Sequence, residues 1–465
     1  MLSVAAALAL YRLCPAPLRS AFLLLASYGF YCTWSTKAAA ALAAATVFTF
    51  FAGRWAGDTQ SKHRAKVAAL CGTCVLAGYL AFLKTAAVTP LPGLGRLALP
   101  LGVSYYTFKL ISYVMDTYWG RVEPARRFIP FAAYVAFFPQ ILAGPIQRPG
   151  DFLRQMPPWR TAASAGLPRM VWGLTKKVAV ADQLAPTVNY VFTHMQALHG
   201  APLLAGFYLF PLQLYADFSG LTDIAIGLGL LFGIQSPENF NRPFTASTIA
   251  EFWRRWHISL TSWLGDYVFT PLRMATRTLG RFGLALSITV NTVAIGIWHG
   301  FTWGYFTFGL MHAGYLVAEA LTSRQRSRFF RSRPHLGLAG DWLGRFYVFH
   351  AAAIAFLFFR ATTVADAAWG LTHLCAGLSS LGGDLAALAA AIDTRPLFIG
   401  LAGCALIECI ERFRPAQWLQ RIASVLPPWA RQVAHAAVVF ELAVAVLLLL
   451  SASSGAERPF IYEAF

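Results

Sequence analysis

Charge is what this chain has least of. Only 12% of its 465 residues are charged, against roughly 25% in an ordinary soluble domain. Acidic residues are scarcest: 20 Asp and Glu stand against 38 Lys and Arg, leaving a formal charge of +18. So little charge excludes a disordered chain, a collagen-like or coiled-coil fibre, and a string of soluble domains. Cysteine is also sparse, with seven in the whole chain, mostly inside apolar runs, which excludes a secreted disulfide scaffold. Cys71 and Cys74 form a CxxC without a second pair or a ligand-spaced histidine, so they read as small buried apolar residues rather than a metal or redox site. HExxH, GxSxG, Walker and GxGxxG motifs in proper context are missing, as are internal repeats and long linkers. The first run, Met1–Leu10, lacks a basic n-region and reads as a short first span rather than a cleaved signal.

Apolar length is abundant instead. The chain is 57% hydrophobic with a mean hydropathy of +0.54. Crossing the hydrocarbon core takes about 20 apolar residues. Candidate runs lie near 1–13, 19–34, 37–53, 67–88, 96–118, 129–144, 168–192, 202–233, 283–299, 301–321, 342–360, 395–410 and 430–451. The run at 129–144 carries Pro130, Pro139 and Gly144, which predicts a broken or re-entrant segment. The Ala/Gly-rich stretch 361–394 reads as a short span or a surface helix. The expected fold is an all-α polytopic membrane protein of roughly ten to twelve spans, one integral-membrane domain over 1–465 with its chemistry around 210–320.

The basic residues fall in short loops, densest at 61–66 and 324–333, and both clusters read as cytoplasmic with the N-terminus outside. Topology therefore accounts for the basic excess without nucleic acid, and the same charge suits a polyanionic substrate or a thioester carrier. The region 234–281 is too polar to span and too aromatic to be a free loop. Within 248–268, Ile249, Phe252, Trp253, Trp256, Leu260, Trp263, Leu264 and Tyr267 recur at three- and four-residue steps, predicting one helical stripe. Glu251, Arg254, Arg255, Ser262 and Asp266 occupy the other faces, and His257 sits at the stripe's edge. Thr248 and Glu251 have the spacing of a capping box, so the helix is expected to begin there.

Ionisable groups at membrane depth are costly and are candidates for function. His299 ends the apolar run Leu284–Trp298, with Gly296, Gly300 and Gly304 leaving room beside it. An imidazole titrating near pH 6.5 can take a proton from a hydroxyl at neutral pH; the alternative is a packing histidine bonded to a carbonyl. His312 in GLMHAG and His350 in FYVFHAAAIAFLFF are second polar groups of a cavity or helix-to-helix glue. Asp217 and Asp223 are candidates for orienting Arg or His partners, and Asn291 is a further supporting candidate. Glu408 and Glu411 read as marking the end of a span.

Longer strings add a resemblance. YADFSGLTDIAIGLGLLFGIQSPENFNRPF (215–244), EFWRRWHISLTSWLGDYVFTPL (251–272) and the WHG at 298–300 resemble the membrane-bound O-acyltransferase family, especially its bacterial alginate O-acetylation branch. LGVSYYTFKLISYVMDTYWGR (101–121), YVAFFPQILAGPIQRPGDFLRQM (134–156), FLFFRATTVADA (356–367) and the terminal FIYEAF are weaker matches. The resemblance implies a ring of tilted helices, with re-entrant or interfacial helices around a central tunnel. It maps the family's catalytic histidine onto His299, a second position onto His257 and a third onto His350. Two positions depart: Gly265-Asp266 stands where the family carries Arg-Asp, and Glu463-Ala464 where it carries an aromatic-Gln pair.

The implied activity moves an acyl group, acetyl first, from a cytoplasmic thioester (acetyl-CoA or an acylated carrier) across the bacterial inner membrane. The acceptor is a hydroxyl of an exopolysaccharide or cell-envelope glycan, or of a periplasmic partner protein. His299 is the expected general base, His257 the group that orients the thioester or stabilises its oxyanion, and Asp217 or Asp266 the carboxylate that holds Arg254 or Arg255. No tightly bound cofactor, metal or nucleic acid is expected, and membrane lipid surrounds the protein. A transporter or flippase, or a non-catalytic scaffold of an exopolysaccharide assembly, is the alternative.

Overall fold

The computed structural model describes residues 2–57, 60–89, 99–156, 163–376 and 381–413, together with Pro427. The expected span at 430–451 and the terminal FIYEAF lie outside the described residues. The chain divides into two compact units, one of Met1–Met170 with Ile224–Glu238, the other of Val171–Asp223 with Asn239–Phe465. No strand occurs among the described residues.

The first unit begins with α1 (Leu2–Leu13), α2 (Arg19–Trp34), α3 (Thr36–Ala56) and α4 (Lys62–Val88). It continues through α5 (Val103–Tyr118), α6 (Phe128–Ala136), α7 (Phe138–Ile141) and α8 (Pro149–Leu153). The run at 129–144 is broken as its prolines predict: α6 ends before Phe137, which leaves helical geometry, and Pro139 sits in the first turn of α7. Cys71 and Cys74 lie on α4 and are exposed rather than buried; there a thiol is a small apolar surface group. Polar interior groups are tied together: Lys109 donates to the Tyr134 carbonyl (2.7 Å) and to Gln140 Oε1 (3.0 Å), and Gln140 donates to Ser236 Oγ (2.7 Å).

α9 (Ala163–Lys176) runs through a π-helical turn at Lys177–Ala181 into α10 (Asp182–Thr193). The long α11 (Ala201–Leu231) follows. The second unit then holds α12 (Ile249–Arg255), α13 (Ile258–Leu264), a π-helical turn at Gly265–Phe269 and α14 (Thr270–Ala275). α15 (Gly280–His299), α16 (Trp303–Arg331) and α17 (Gly337–Arg360) come next, then α18 (Val364–His373), α19 (Leu381–Ala391) and α20 (Thr394–Phe413). Among the described residues five helices are long and apolar enough to cross a membrane, six if the pair α19 and α20, bent by 107°, counts as one span. The protein is an all-α, multi-pass membrane protein.

The single helical stripe expected over 248–268 is two helices. α12 stops at Arg255, Trp256 is extended, and His257 takes a left-handed conformation (φ 44°, ψ 52°) before α13 starts. The expected capping box is half formed. Thr248 Oγ1 accepts from the Glu251 N–H (3.1 Å), but Glu251 reaches one residue further back, to the Ser247 N–H (2.9 Å). Glu319 caps the same helix from α16: its carboxylate accepts from the N–H groups of Ile249 (2.7 Å) and Ala250 (3.1 Å).

α15 and α16 approach closely because of glycine. A Cβ on Gly296 would meet the Tyr305 carbonyl oxygen at 2.1 Å, and one on Gly309 the Thr292 carbonyl oxygen at 2.8 Å. Such small-residue contacts are how helices pack in lipid. The close approach brackets the turn that presents His299. Gly296→Ala is expected to lower stability by roughly 1–3 kcal/mol, read as a lower melting temperature in detergent. Gly314→Ala, whose Cβ meets nothing within 4 Å, is expected to leave it unchanged.

Candidate functional site

The break in the aromatic helix is held open from outside. α13 begins at Ile258 with no side-chain cap from His257. Asn239 supplies the cap instead. Its carbonyl accepts from the Ile258 N–H (2.9 Å), and its Oδ1 accepts from the N–H (3.0 Å) and the hydroxyl (2.8 Å) of Ser259. Two residues on, Asn241 N–H donates to the Arg255 carbonyl (2.9 Å), so the chain at 239–241 occupies both free ends of the break. His257 is thereby released from capping and held in a backbone region that non-glycine residues adopt at a cost of order 1–3 kcal/mol.

His257 is 1% exposed. Its ring meets the edge of Phe218 (centroids 4.6 Å apart, 86°) and the ring of Trp298 (5.5 Å, 65°). Trp298 also meets His299 (4.8 Å, 84°), so one indole touches both imidazoles. His299 closes α15 and is bounded by Phe359 (4.8 Å, 80°) and Tyr305 (6.0 Å). At 9% exposure His299 is the more accessible of the two imidazoles. Burial holds the His257 imidazole well below its usual range, at about 3, so it is neutral at physiological pH.

The other sequence candidates fall into separate settings. His312 accepts at Nδ1 from the Trp253 indole N–H (3.2 Å) and packs against Phe308 (4.7 Å), inside the aromatic core behind the site. His350 is elsewhere on α17, bonded at Nδ1 to the Phe346 carbonyl (2.8 Å) and at Nε2 to the Tyr208 hydroxyl (3.2 Å). Asp217 is fully buried against Lys177 (2.7 Å), which also pairs with Asp182 (2.9 Å). Arg255 pairs with Glu251 on its own helix and donates to Thr245 Oγ1 (2.7 Å), and Arg254 is exposed. The expected pairing of Asp217 with Arg254 or Arg255 is therefore replaced by a lysine partner: the π-helical turn brings Lys177 to Asp217, while Arg255 pairs with Glu251. Asp266 is half-buried in the second π-helical turn, and Asn291 lies on α15 with its Oδ1 buried and without a hydrogen-bond partner among the described residues. No group of three metal-ligating side chains occurs among the described residues.

Sequence reasoning passed over Asn239 and Trp298 as site-builders, and also Lys176 and Lys177. The lysines left a signal: two adjacent ammonium groups in the apolar run 168–192 need buried carboxylates. Asn239 left a fainter one, the first of two asparagines in the loop preceding an aromatic helix.

This geometry has relatives. The membrane-bound O-acyltransferase family matches residues 125–360. A probable alginate O-acetylase of Azotobacter vinelandii is 35% identical over 382 residues, covering 78% of this chain and 73% of that protein. A second, of Pseudomonas putida, is 32% identical over 98% of this chain and 97% of its own length. A peptidoglycan O-acetyltransferase of Helicobacter pylori is 30% identical over 74% of this chain and 72% of its own. The chain belongs to the membrane-bound O-acyltransferase family, in the branch of the alginate O-acetylases, and is an O-acyltransferase.

Two outcomes follow from this geometry. Asn239→Ala removes the acceptor oxygen that caps α13 and is expected to lower stability by roughly 0.5–2 kcal/mol and to reduce acyl transfer at least tenfold, an order-of-magnitude figure for a displaced candidate site group. Asn241→Ala keeps its backbone bond and is expected to change neither. For His257 the folded value lies below the unfolded 6.5, so the unfolded chain binds the extra proton. Its contribution to stability is complete above about pH 6.5 and is lost as pH falls toward about 3. Thermal unfolding between pH 7 and 5 is expected to show a shallower slope for His257→Asn than for wild type, by up to about 1.4 kcal/mol per pH unit.

Proposed function

We propose that the protein transfers an acetyl group from a cytoplasmic thioester across the bacterial inner membrane to a hydroxyl of a cell-envelope glycan, or to a periplasmic protein that passes it on. The single observation that supports this reading is the meeting of His257 and His299 on the indole of Trp298, in an aromatic, nearly dry setting. Glycan acetylation is also what the names of the alginate and peptidoglycan relatives describe.

In this mechanism His299, the more accessible imidazole, takes the proton of the acceptor hydroxyl. The oxygen attacks the thioester carbonyl carbon, the C–S bond breaks, and the departing sulfur receives the proton from the His299 imidazolium. Base catalysis of this kind contributes roughly 10²–10⁴-fold. His257 stays neutral and uses its ring N–H to hold the carbonyl oxygen as charge develops there. With surrounding water reduced by Tyr305, Phe359 and Trp298, that one hydrogen bond is stronger than it would be in bulk solvent. The buried Lys177–Asp217 and Lys176–Asp223 pairs brace α11 and the π-helical turn rather than touching substrate. Acetyl-CoA and an acylated carrier protein are both donors of the required chemistry.

The test uses protein in nanodiscs, with radiolabelled acetyl-CoA or an acetylated carrier protein and an acceptor glycan. Wild type is expected to move label to the glycan. His299→Ala is expected to fall by at least about 10², and His257→Ala to lose kcat more than KM. A folded wild type that consumes neither thioester, while glycan passage through the membrane depends on His299, would contradict the reading and favour a transporter.

A further inference from the structure

The second unit contains a cavity of about 210 Å³ whose lining includes neither candidate histidine: Leu212 and Tyr215 of α11, Arg242 and Phe244 of the loop before α12, and Glu408 and Glu411 of α20. That volume equals about seven waters at roughly 30 Å³ each. Its polar groups have a definite charge pattern. Two carboxylates face one guanidinium. Glu411 accepts from the Tyr215 hydroxyl (2.9 Å) and pairs with Lys176 (2.9 Å), but Lys176 divides its charge between Glu411 and Asp223 (3.2 Å). Glu408 pairs with Arg242 through Nη2 (2.7 Å). Arg242 Nε is buried and has no hydrogen-bond partner among the described residues. Arg242 is also one of two non-glycine residues with positive φ among the described residues, at 49°. The aromatic rings of Tyr215 and Phe244 stand edge to face in the lining, 5.8 Å apart.

Each element asks for a different part of one ligand. Surplus carboxylate beside aromatic rings recognises an ammonium group. The Arg242 guanidinium, held by Glu408 at Nη2 on a side chain 25% exposed, has further N–H groups suited to a phosphate oxygen. Around them the lining is apolar, and α20, which forms one wall, turns Leu401 and Leu406 outward as an exposed apolar surface. Together with α19 that helix is apolar enough to form a bent membrane span, where such a surface suits lipid chains. We infer that this cavity is a binding site for the headgroup of an amine-bearing zwitterionic phospholipid, the ammonium lying at Glu408 and Glu411 and the phosphodiester at Arg242. The site ties α20 to α11 through a lipid and is separate from the acyl-transfer chemistry.

Native mass spectrometry of detergent-purified, delipidated protein tests this with phosphatidylethanolamine, phosphatidylglycerol and water-soluble glycerophosphoethanolamine added separately. One phosphatidylethanolamine per chain is expected, held at least fivefold more tightly than phosphatidylglycerol. Glu408→Gln, at a side chain 53% exposed and so tolerant of change, is expected to weaken it at least fivefold, and Arg242→Gln likewise. Glu411→Gln is less suitable because it leaves the buried Lys176 with Asp223 alone. Equal retention of phosphatidylglycerol, or unaltered binding in Glu408→Gln, would overturn the site. Binding of glycerophosphoethanolamine as tight as that of the lipid would overturn its lipid source.

Discussion

The meeting of His257 and His299 on one indole depends on a break in the aromatic helix at residue 257. The second unit interrupts the helix there and repairs the break from elsewhere. Asn239 caps α13 with its carbonyl and its amide oxygen, Glu319 caps α12 from α16, and Asn241 takes up the carbonyl of Arg255. Backbone groups on both sides of the break, each costing about 1–3 kcal/mol if buried without a partner, are thereby given one: the N–H groups of Ile249, Ala250, Ile258 and Ser259 and the carbonyl of Arg255. The left-handed turn at His257 is stable because its neighbours determine it, and the aromatic cluster of Phe252, Trp256, Phe308 and Phe356 packs against the result.

A second constraint works through charge. Lys176 and Lys177 sit at a π-helical turn, where the register shift points successive ammonium groups at carboxylates on α11 and α20. Breaking one such buried pair strands the remaining charge at a cost of about 3–5 kcal/mol. These pairs therefore specify how the helices meet more than they add to stability. Glycine does the same for α15 and α16, whose backbones nearly touch at Gly296 and Gly309 just before the chain turns at His299. The catalytic candidate thus stands at the end of the most closely packed helix pair of its unit.

The sequence revealed the parts governed by local pattern. Apolar length announced a multi-pass helical protein, the prolines at 130 and 139 announced a broken segment, and a histidine among glycines at the end of an apolar run drew attention to residue 299. It hid what depends on partners distant in the chain. Phe252, Trp253, Trp256 and Leu260 keep helical spacing straight through the break, because they pack on one aromatic core from either side of it. The interruption is set by Asn239, and nothing in the local periodicity of 249–264 records it. In the same way, Asp217 pairs with a lysine on a π-helical turn rather than with the nearer-looking arginines, and Glu251 bonds Ser247 while Glu319, from α16, caps the first turn of α12.

The central claim is that His257 and His299 flank one acyl-transfer centre on Trp298. The most direct measurement is a cryo-electron microscopy structure in nanodiscs with a non-hydrolysable thioether analogue of the acetyl donor. The account predicts the analogue's carbonyl within hydrogen-bond reach of His257, with His299 on the opposite side of the carbonyl carbon and its ring free to meet an acceptor hydroxyl. An analogue bound with its carbonyl remote from both imidazoles, while His257 keeps its left-handed turn, would contradict it.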